Sequence, residues 1–406
     1  MVFQLISSRD DDFKLEFGFS PVLSATLGEY DWYDDERPSL EEILSHSRLM
    51  ADSDASVDWP GLERKHAGRS PLYMEVIRHY KHSDKKGKSR QESFLDLIEK
   101  PDDIQKWSPL LWAAYTGRRN EVEELLDYGA DPLKVAQVKR NVYHYAAESA
   151  NPEALEFLLH RGYYRINGAL SAHDIWGETP LHIASARSAE SVKLLLDHGA
   201  LIGSLQNTGE TPLHYVANLS GEARLDTLQN LLSHLEPKSP LLNSVGHNGQ
   251  PCLFYCLDMP KCVEVLLQWG ADITIVDSKG RNVLHNACFK NHIESLSYLL
   301  RHCPVEMVTA VDADGDAPVF VGFKNKAVDC VLMLLRRHYH PPGIVDKEGW
   351  TLLHRAAELN NQSVVNFVVN IPGLDRNART KDGRTAQDIA NEKNCFLTTE
   401  EYLEGL

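Results

Sequence analysis

Short apolar runs recur along the chain at nearly even spacing, some followed by a glycine and then a polar turn. Val192-Lys193-Leu194-Leu195-Leu196 leads to Gly199, and Val263-Glu264-Val265-Leu266-Leu267 leads to Gly270. Glycine there suits the left-handed conformation that closes a helix. Turns such as Asp277-Ser278-Lys279-Gly280 and Asp346-Lys347-Glu348-Gly349 announce the next helix. Helix starts fall at Ser108, Asn141, Thr179, Thr211, Pro251, Asn282, Ala317, Thr351 and Thr385. The steps between them are 33, 38, 32, 40, 31, 35, 34 and 34 residues, a mean of about 34.6. A pair of short helices cannot bury its own apolar face, so the pattern predicts an all-α array whose core comes from stacking. The two longest steps place insertions in the segments ending at 178 and 250, where added loop length costs little.

The clearest start is Gly177-Glu178-Thr179-Pro180-Leu181-His182-Ile183-Ala184, with a near copy at Gly209-Glu210-Thr211-Pro212-Leu213-His214-Tyr215-Val216. Thr179 is placed to cap the helix through its hydroxyl. Pro180 falls at the first helical position, where a missing N–H costs nothing. His182 is placed to bond back across the turn, and Ala184 lets a neighbouring helix approach. On these residues the chain resembles the ankyrin-repeat family, whose period is about 33 residues and whose signature is T-P-L-H-x-A.

The resemblance implies an ankyrin-repeat solenoid of about nine helix–turn–helix units with short β-hairpin or loop tips over residues 104–406. Its C-terminal cap is expected at Thr399-Glu400-Glu401-Tyr402-Leu403. Residues 61–103 read as a possible degenerate first repeat, from Gly68-Arg69-Ser70-Pro71-Leu72-Tyr73, with a basic loop insert at 83–90. Residues 1–60 read as an acidic, partly ordered segment, with a short helix near 40–50 announced by Ser39 and Glu42. Pro251 and Ala317 lack the capping hydroxyl, and Phe254 and Phe320 replace the histidine, so those two units are expected to be softer.

Charge changes the picture in one place. The net charge is −16, and residues 1–60 carry −10 of it, with fourteen Asp and Glu against four Lys and Arg. That balance argues against direct nucleic-acid binding, which needs a basic footprint. The acidic segment, which includes Tyr30, Trp32 and Tyr33, reads either as a solvated tail or as a motif that recruits a second protein. Seven cysteines without paired spacing read as reduced thiols of a cytoplasmic or nuclear protein. No run approaches the 18 or so apolar residues of a membrane span. Met1-Val2-Phe3-Gln4-Leu5-Ile6 runs straight into Asp10-Asp11-Asp12, unlike a signal peptide.

Candidate chemistry is thin. His144, His182, His214, His285 and His354 share one repeat position, and the resemblance gives them a structural role. Cys252 and Cys256 are four apart, but Cys256 and Cys288 align with small alanine positions, which favours packing over zinc. No phosphate loop, nucleophile elbow or zinc-ligand series is present. The expectation is therefore no enzyme, no cofactor, no metal and no catalytic residue, in a monomer that binds one or more proteins.

The resemblance places that binding on the tips and on the exposed ends of the first helices, lining a concave face. The candidate partner-binding residues are Trp107, Tyr115, Arg140, Trp176, Glu178 and Arg187, followed by Lys279, Arg281, Phe289, Lys290, Asp314, Asp316 and Trp350. Trp and Arg are the residues that most often dominate interface energies. Trp112, Tyr145, Tyr215 and Tyr255 follow the histidine position and are assigned to the core. Lys279, Arg281, Lys290 and Lys324 read as a basic centre flanked by acids. These charges either steer a partner of alternating charge or pair with one another, and the sequence leaves both open.

Overall fold

The computed structural model describes residues 107–127, 129–336 and 343–392. The acidic segment with its helix near 40–50, the degenerate repeat and the cap at 399–403 lie outside the described residues. The described chain is helices and loops, with β pairing confined among them to two isolated bridges, Val245 with Pro251 and Val345 with Thr351. It falls into two compact units that divide between Asn207 and Thr208.

A helix begins one residue after each of the nine starts. In the first unit the hairpins are Pro109–Tyr115 with Arg119–Asp127, Val142–Glu148 with Glu153–Arg161, and Pro180–Ser185 with Ala189–Asp197. The second unit pairs Pro212–Tyr215 with Gly221–Ser233, Cys252–Tyr255 with Pro260–Gln268, and Val283–Phe289 with Ile293–His302. Pro318–Lys324 with Val328–Arg336 and Leu352–Leu359 with Gln362–Val369 follow, then Ala386–Glu392. Within a unit, first helices pack on first helices, as Pro109–Tyr115 does on Val142–Glu148. Small buried residues such as Ala114, Ala147, Ala184 and Ala287 allow that approach, while Leu195, Leu266, Leu299 and Leu334 fill the layer of second helices. Burying one such leucine contributes about 1.5–3 kcal/mol.

At five of the nine starts two side chains close a reciprocal box, whereas Ser108 makes no side-chain cap. Asn141 accepts from the N–H groups of Tyr143 and His144, and His144 Nδ1 accepts from the Asn141 N–H at 3.2 Å. The same box closes at Thr179–His182, Thr211–His214, Asn282–His285 and Thr351–His354. Because a backbone N–H can only donate, Nδ1 carries no proton. Nε2–H then donates into the next repeat, from His144 to the Glu178 carbonyl (3.1 Å) and from His285 to that of Asp316 (3.0 Å). His214 and His354 reach Gln250 and Arg384 in the same way. Burial lowers the pKa of all four rings, that of His144 to about 4. Pro251 and Ala317 give no side-chain cap, and buried Phe254 and Phe320 stand at the histidine position.

The long steps depart from the expectation of loops. After Arg161 the chain makes a helical turn, Tyr164–Asn167, and a 3-10 turn, Ala169–Ser171. Asn141 Nδ2 donates to the Ala169 carbonyl at 2.8 Å, and the Tyr143 hydroxyl accepts from the Tyr164 N–H at 3.1 Å. Asn282 repeats the device, donating to the Met307 carbonyl at 2.8 Å in the short helix Glu306–Thr309. Threonine turns its one O–H to the box histidine, as Thr179 does to His182 Nδ1 at 2.9 Å, whereas the asparagine amide nitrogen can serve a buried carbonyl. The 40-residue step is taken up by a 13-residue second helix, Gly221–Ser233, and the 3-10 turn Pro240–Asn243.

Candidate functional site

An aspartate five residues before a helix start fixes the tip. Asp174 Oδ1 accepts from the N–H groups of Trp176 and Glu178, both at 2.9 Å. Asp277, Asp312 and Asp346 hold their tips by the same pair of bonds. The second oxygen takes a side chain: Arg140 on Asp174, Gln250 on Asp277, Arg281 on Asp312 and Arg355 on Asp346. Successive tips are stitched by backbone bonds. Ile175 N–H reaches Val138 O and Asn207 N–H reaches Trp176 O in the first unit. Ser278 N–H to Asn248 O and Ala313 N–H to Lys279 O do so in the second. Sequence reasoning took Asp277 and Asp346 only as turn residues and missed Asp174, Asp312 and Arg355, although the sequence puts an aspartate at this repeat position five times.

In the first unit the structure gathers the predicted residues around Arg140. Its guanidinium bonds Glu148 at 2.9 Å, Asp174 at 2.8 Å and Glu178 at 2.8 Å. It also lies 5.2 Å from the centre of the Trp176 ring. Trp176 remains 49% exposed, with exposed Ile175 beside it. Arg187 reaches Glu148 at 3.3 Å, with its own side chain half exposed. Burial, then the Glu148 charge, raises the pKa of Tyr115. Trp107 departs from the expectation of an exposed tip. It is half-buried, with ring centres 4.2 Å from Tyr145, 4.5 Å from Trp112 and 5.4 Å from Tyr115.

The second unit uses the same ingredients differently. Arg281 pairs with Asp312 at 3.4 Å and lies 5.3 Å from the centre of the Phe289 ring, itself 44% exposed. Lys324 binds Asp316 at 2.6 Å and Glu348 at 3.0 Å, and Lys347 binds Asp314 at 3.2 Å. Burial holds the Asp316 pKa above its usual value despite Lys324. Trp350 is half-buried between two guanidiniums, Arg355 at 4.4 Å and Arg384 at 5.5 Å. Lys279 and Lys290 stand exposed. Two of the four residues of the basic centre, Arg281 and Lys324, are thus paired within the chain. Arg281, Asp314, Asp316, Lys324 and Glu348 border an open hollow of about 310 Å³. The carboxylates of Asp316, Asp346 and Glu348 come close enough to share a cation. Lys324 and Arg355 already supply that positive charge. Tyr145 and Trp112 are buried as expected, whereas Tyr215 and Tyr255 are half-exposed.

The family model described as ankyrin repeats (3 copies) matches residues 87–169, 164–241 and 252–342, more than half of the chain. The chain belongs to the ankyrin-repeat family. Ankyrin repeats form a protein–protein interaction module. This ankyrin-repeat chain is 29% identical over 168 residues to human (Homo sapiens) SH3 and multiple ankyrin repeat domains protein 2, across 40% of the chain and 8% of that protein. It is 28% identical over 129 residues to the nuclear factor NF-kappa-B p105 subunit of Gallus gallus, across 32% of the chain and 13% of that protein. The match therefore spans only a small part of either relative. Among solved structures it is similar to the ankyrin repeat domain of Bcl-3, a member of the IkappaB protein family. That likeness has a TM-score of 0.45 and 22% identity, over 56% of this chain and 99% of that one. Among the described residues no helix is long and apolar enough to cross a membrane.

Proposed function

We propose that this ankyrin-repeat chain is a non-catalytic scaffold or adaptor that binds a protein partner on its tips, anchored in the first unit by Trp176. The observation that carries the reading is the exposure of that ring on a rigid mount. Asp174 fixes the backbone of Trp176, and Arg140 backs the ring while three carboxylates hold Arg140. A partner meeting a ring already held in place loses little freedom in ordering it. Tyr115, Glu178 and Arg187 supply the polar surroundings, and Phe289 on Arg281 offers a similar element in the second unit.

The test is to capture partners with the full chain, then titrate each identified partner against wild type and Trp176→Ala. Truncating a tryptophan anchor typically costs about 2 kcal/mol or more, about 30-fold in Kd. Because Trp176 is half exposed, the melting temperature should hardly move. A partner whose Kd is unchanged by Trp176→Ala would remove this anchor.

A further inference from the structure

Three of the six described cysteines meet inside one repeat of the second unit. Cys252 opens the helix Cys252–Tyr255, Cys256 caps its end, and Cys262 stands on the following helix, Pro260–Gln268. All three are buried. The Cys252 and Cys256 sulfurs are 3.9 Å apart, and Cys256 also hydrogen-bonds with Cys262. The recognition surface makes no use of them.

The helix that carries the pair is four residues long and starts at Pro251 without a side-chain cap. Pro212–Tyr215 is equally short, but it has the box of Thr211 and His214 to hold it. A lone turn fixes many dihedrals for few hydrogen bonds, so it opens readily unless something else pins it. We propose that Cys252 and Cys256 are a thiol–disulfide exchange site, gated by opening of this uncapped turn, whose substrate is a small disulfide.

Geometry supplies the gate. Side chains four apart on a helix have Cβ atoms about 5–6 Å apart, whereas a disulfide needs about 3.5–4.5 Å. The bond therefore forms only when the turn loosens. While the turn is closed, the hydrogen bond with Cys252 and burial hold Cys256 as a thiol well above its usual pKa, and a thiol is not the nucleophile. Opening lets one cysteine ionise and attack the small disulfide. That step expels one thiolate and leaves a mixed disulfide on the protein. The second cysteine, ionised in turn, attacks the protein sulfur and expels the other half. The two protons lost by the cysteines are taken up through solvent by the two departing thiolates, and two electrons pass from the cysteine pair to the small disulfide, which leaves as two thiols. The bridged turn cannot rebuild its helix. Tyr255, which donates to Glu210 at 3.5 Å, then loses its mount, and Gln250, which holds Asp277 at 3.0 Å, loses the turn behind it.

The experiment incubates the full chain with oxidised glutathione at neutral pH, quenches with acid, alkylates and digests with trypsin. Cleavage after Lys238 and Lys261 leaves Cys252 and Cys256 on one peptide and Cys262 on the next. The expected product is that first peptide, unalkylated and lighter by two hydrogens. Pro251→Thr, which restores a capping hydroxyl, should slow its appearance about fivefold. Cys256→Ala should abolish it while leaving the fold intact. A fully alkylated peptide, a bridge to Cys262 instead, or an unchanged rate in Pro251→Thr would each overturn the proposal.

Discussion

The repeats that start at Pro251 and at Asn282 are neighbours in the second unit, yet they hold their first helices by different means. At Asn282 one side chain accepts from two backbone N–H groups and donates to the Met307 carbonyl, while His285 closes the box and reaches Asp316. At Pro251 the capping bonds are gone; the Cys252 thiol donates to the Leu213 carbonyl at 3.0 Å, and buried Phe254 and a group of thiols fill the space. One repeat is fastened by directional bonds and the other by packing. Bonds of the first kind fail when a single atom is lost or protonated. Packing is indifferent to pH but leaves the turn free to fray.

The largest separation should come from removing the cap in each. Asn282→Ala leaves two N–H groups and a buried carbonyl without partners, so a loss of about 2–4 kcal/mol is expected in urea denaturation. Pro251→Ala removes only a backbone restraint and should cost less than about 1 kcal/mol. Equal losses would erase the distinction.

Acid should separate them next. Histidines titrate near 6.5 when unfolded, and burial lowers His144, His214, His285 and His354 in the fold, His144 to about 4. The unfolded chain therefore takes up protons first as pH falls. The stabilisation is complete above about pH 6.5 and is lost on the way down, about 3 kcal/mol for His144 by pH 4. Hydrogen exchange, corrected for intrinsic rates, should show opening of Val283–Phe289 becoming easier between pH 7 and pH 5, with a smaller change at Cys252–Tyr255. A common shift in both helices would mean that the rings are not responsible. Smallest of the three, Pro251→Thr should add about 0.5–2 kcal/mol by giving the soft repeat a cap. No gain would show that packing had already fixed that helix.

The helix starts were legible because capping is local: Thr or Asn, three residues ahead of His, carries its meaning within one turn. The added turns were not, since they depend on Nδ2 of Asn141 and Asn282 reaching 28 and 25 residues along the chain. The candidate surface was readable as positions but not as pairings. Arg140 meets Asp174 34 residues away, and Lys347 meets Asp314 33 away, so opposite charges one repeat apart face each other. Searching the sequence at that offset would have found these pairs. It would not have found Trp107 turning inward, because the aromatic cluster that holds it draws on two repeats.

The stitching of successive tips separates two properties that usually change together. Main-chain bonds help to set the spacing along the row, Asn207 N–H on Trp176 O and Ala313 N–H on Lys279 O, and these do not depend on the side chains of Trp176 and Lys279. Gly177 shows how tight the contact is, since a Cβ there would lie 2.6 Å from the Asn207 nitrogen. The side chains of Trp176 and Lys279 are thus mounted on backbone bonds that they do not influence. Drift at Trp176 or Lys279 would change the surface offered at that tip, one position at a time, without breaking the main-chain bond that sets the interval to the next.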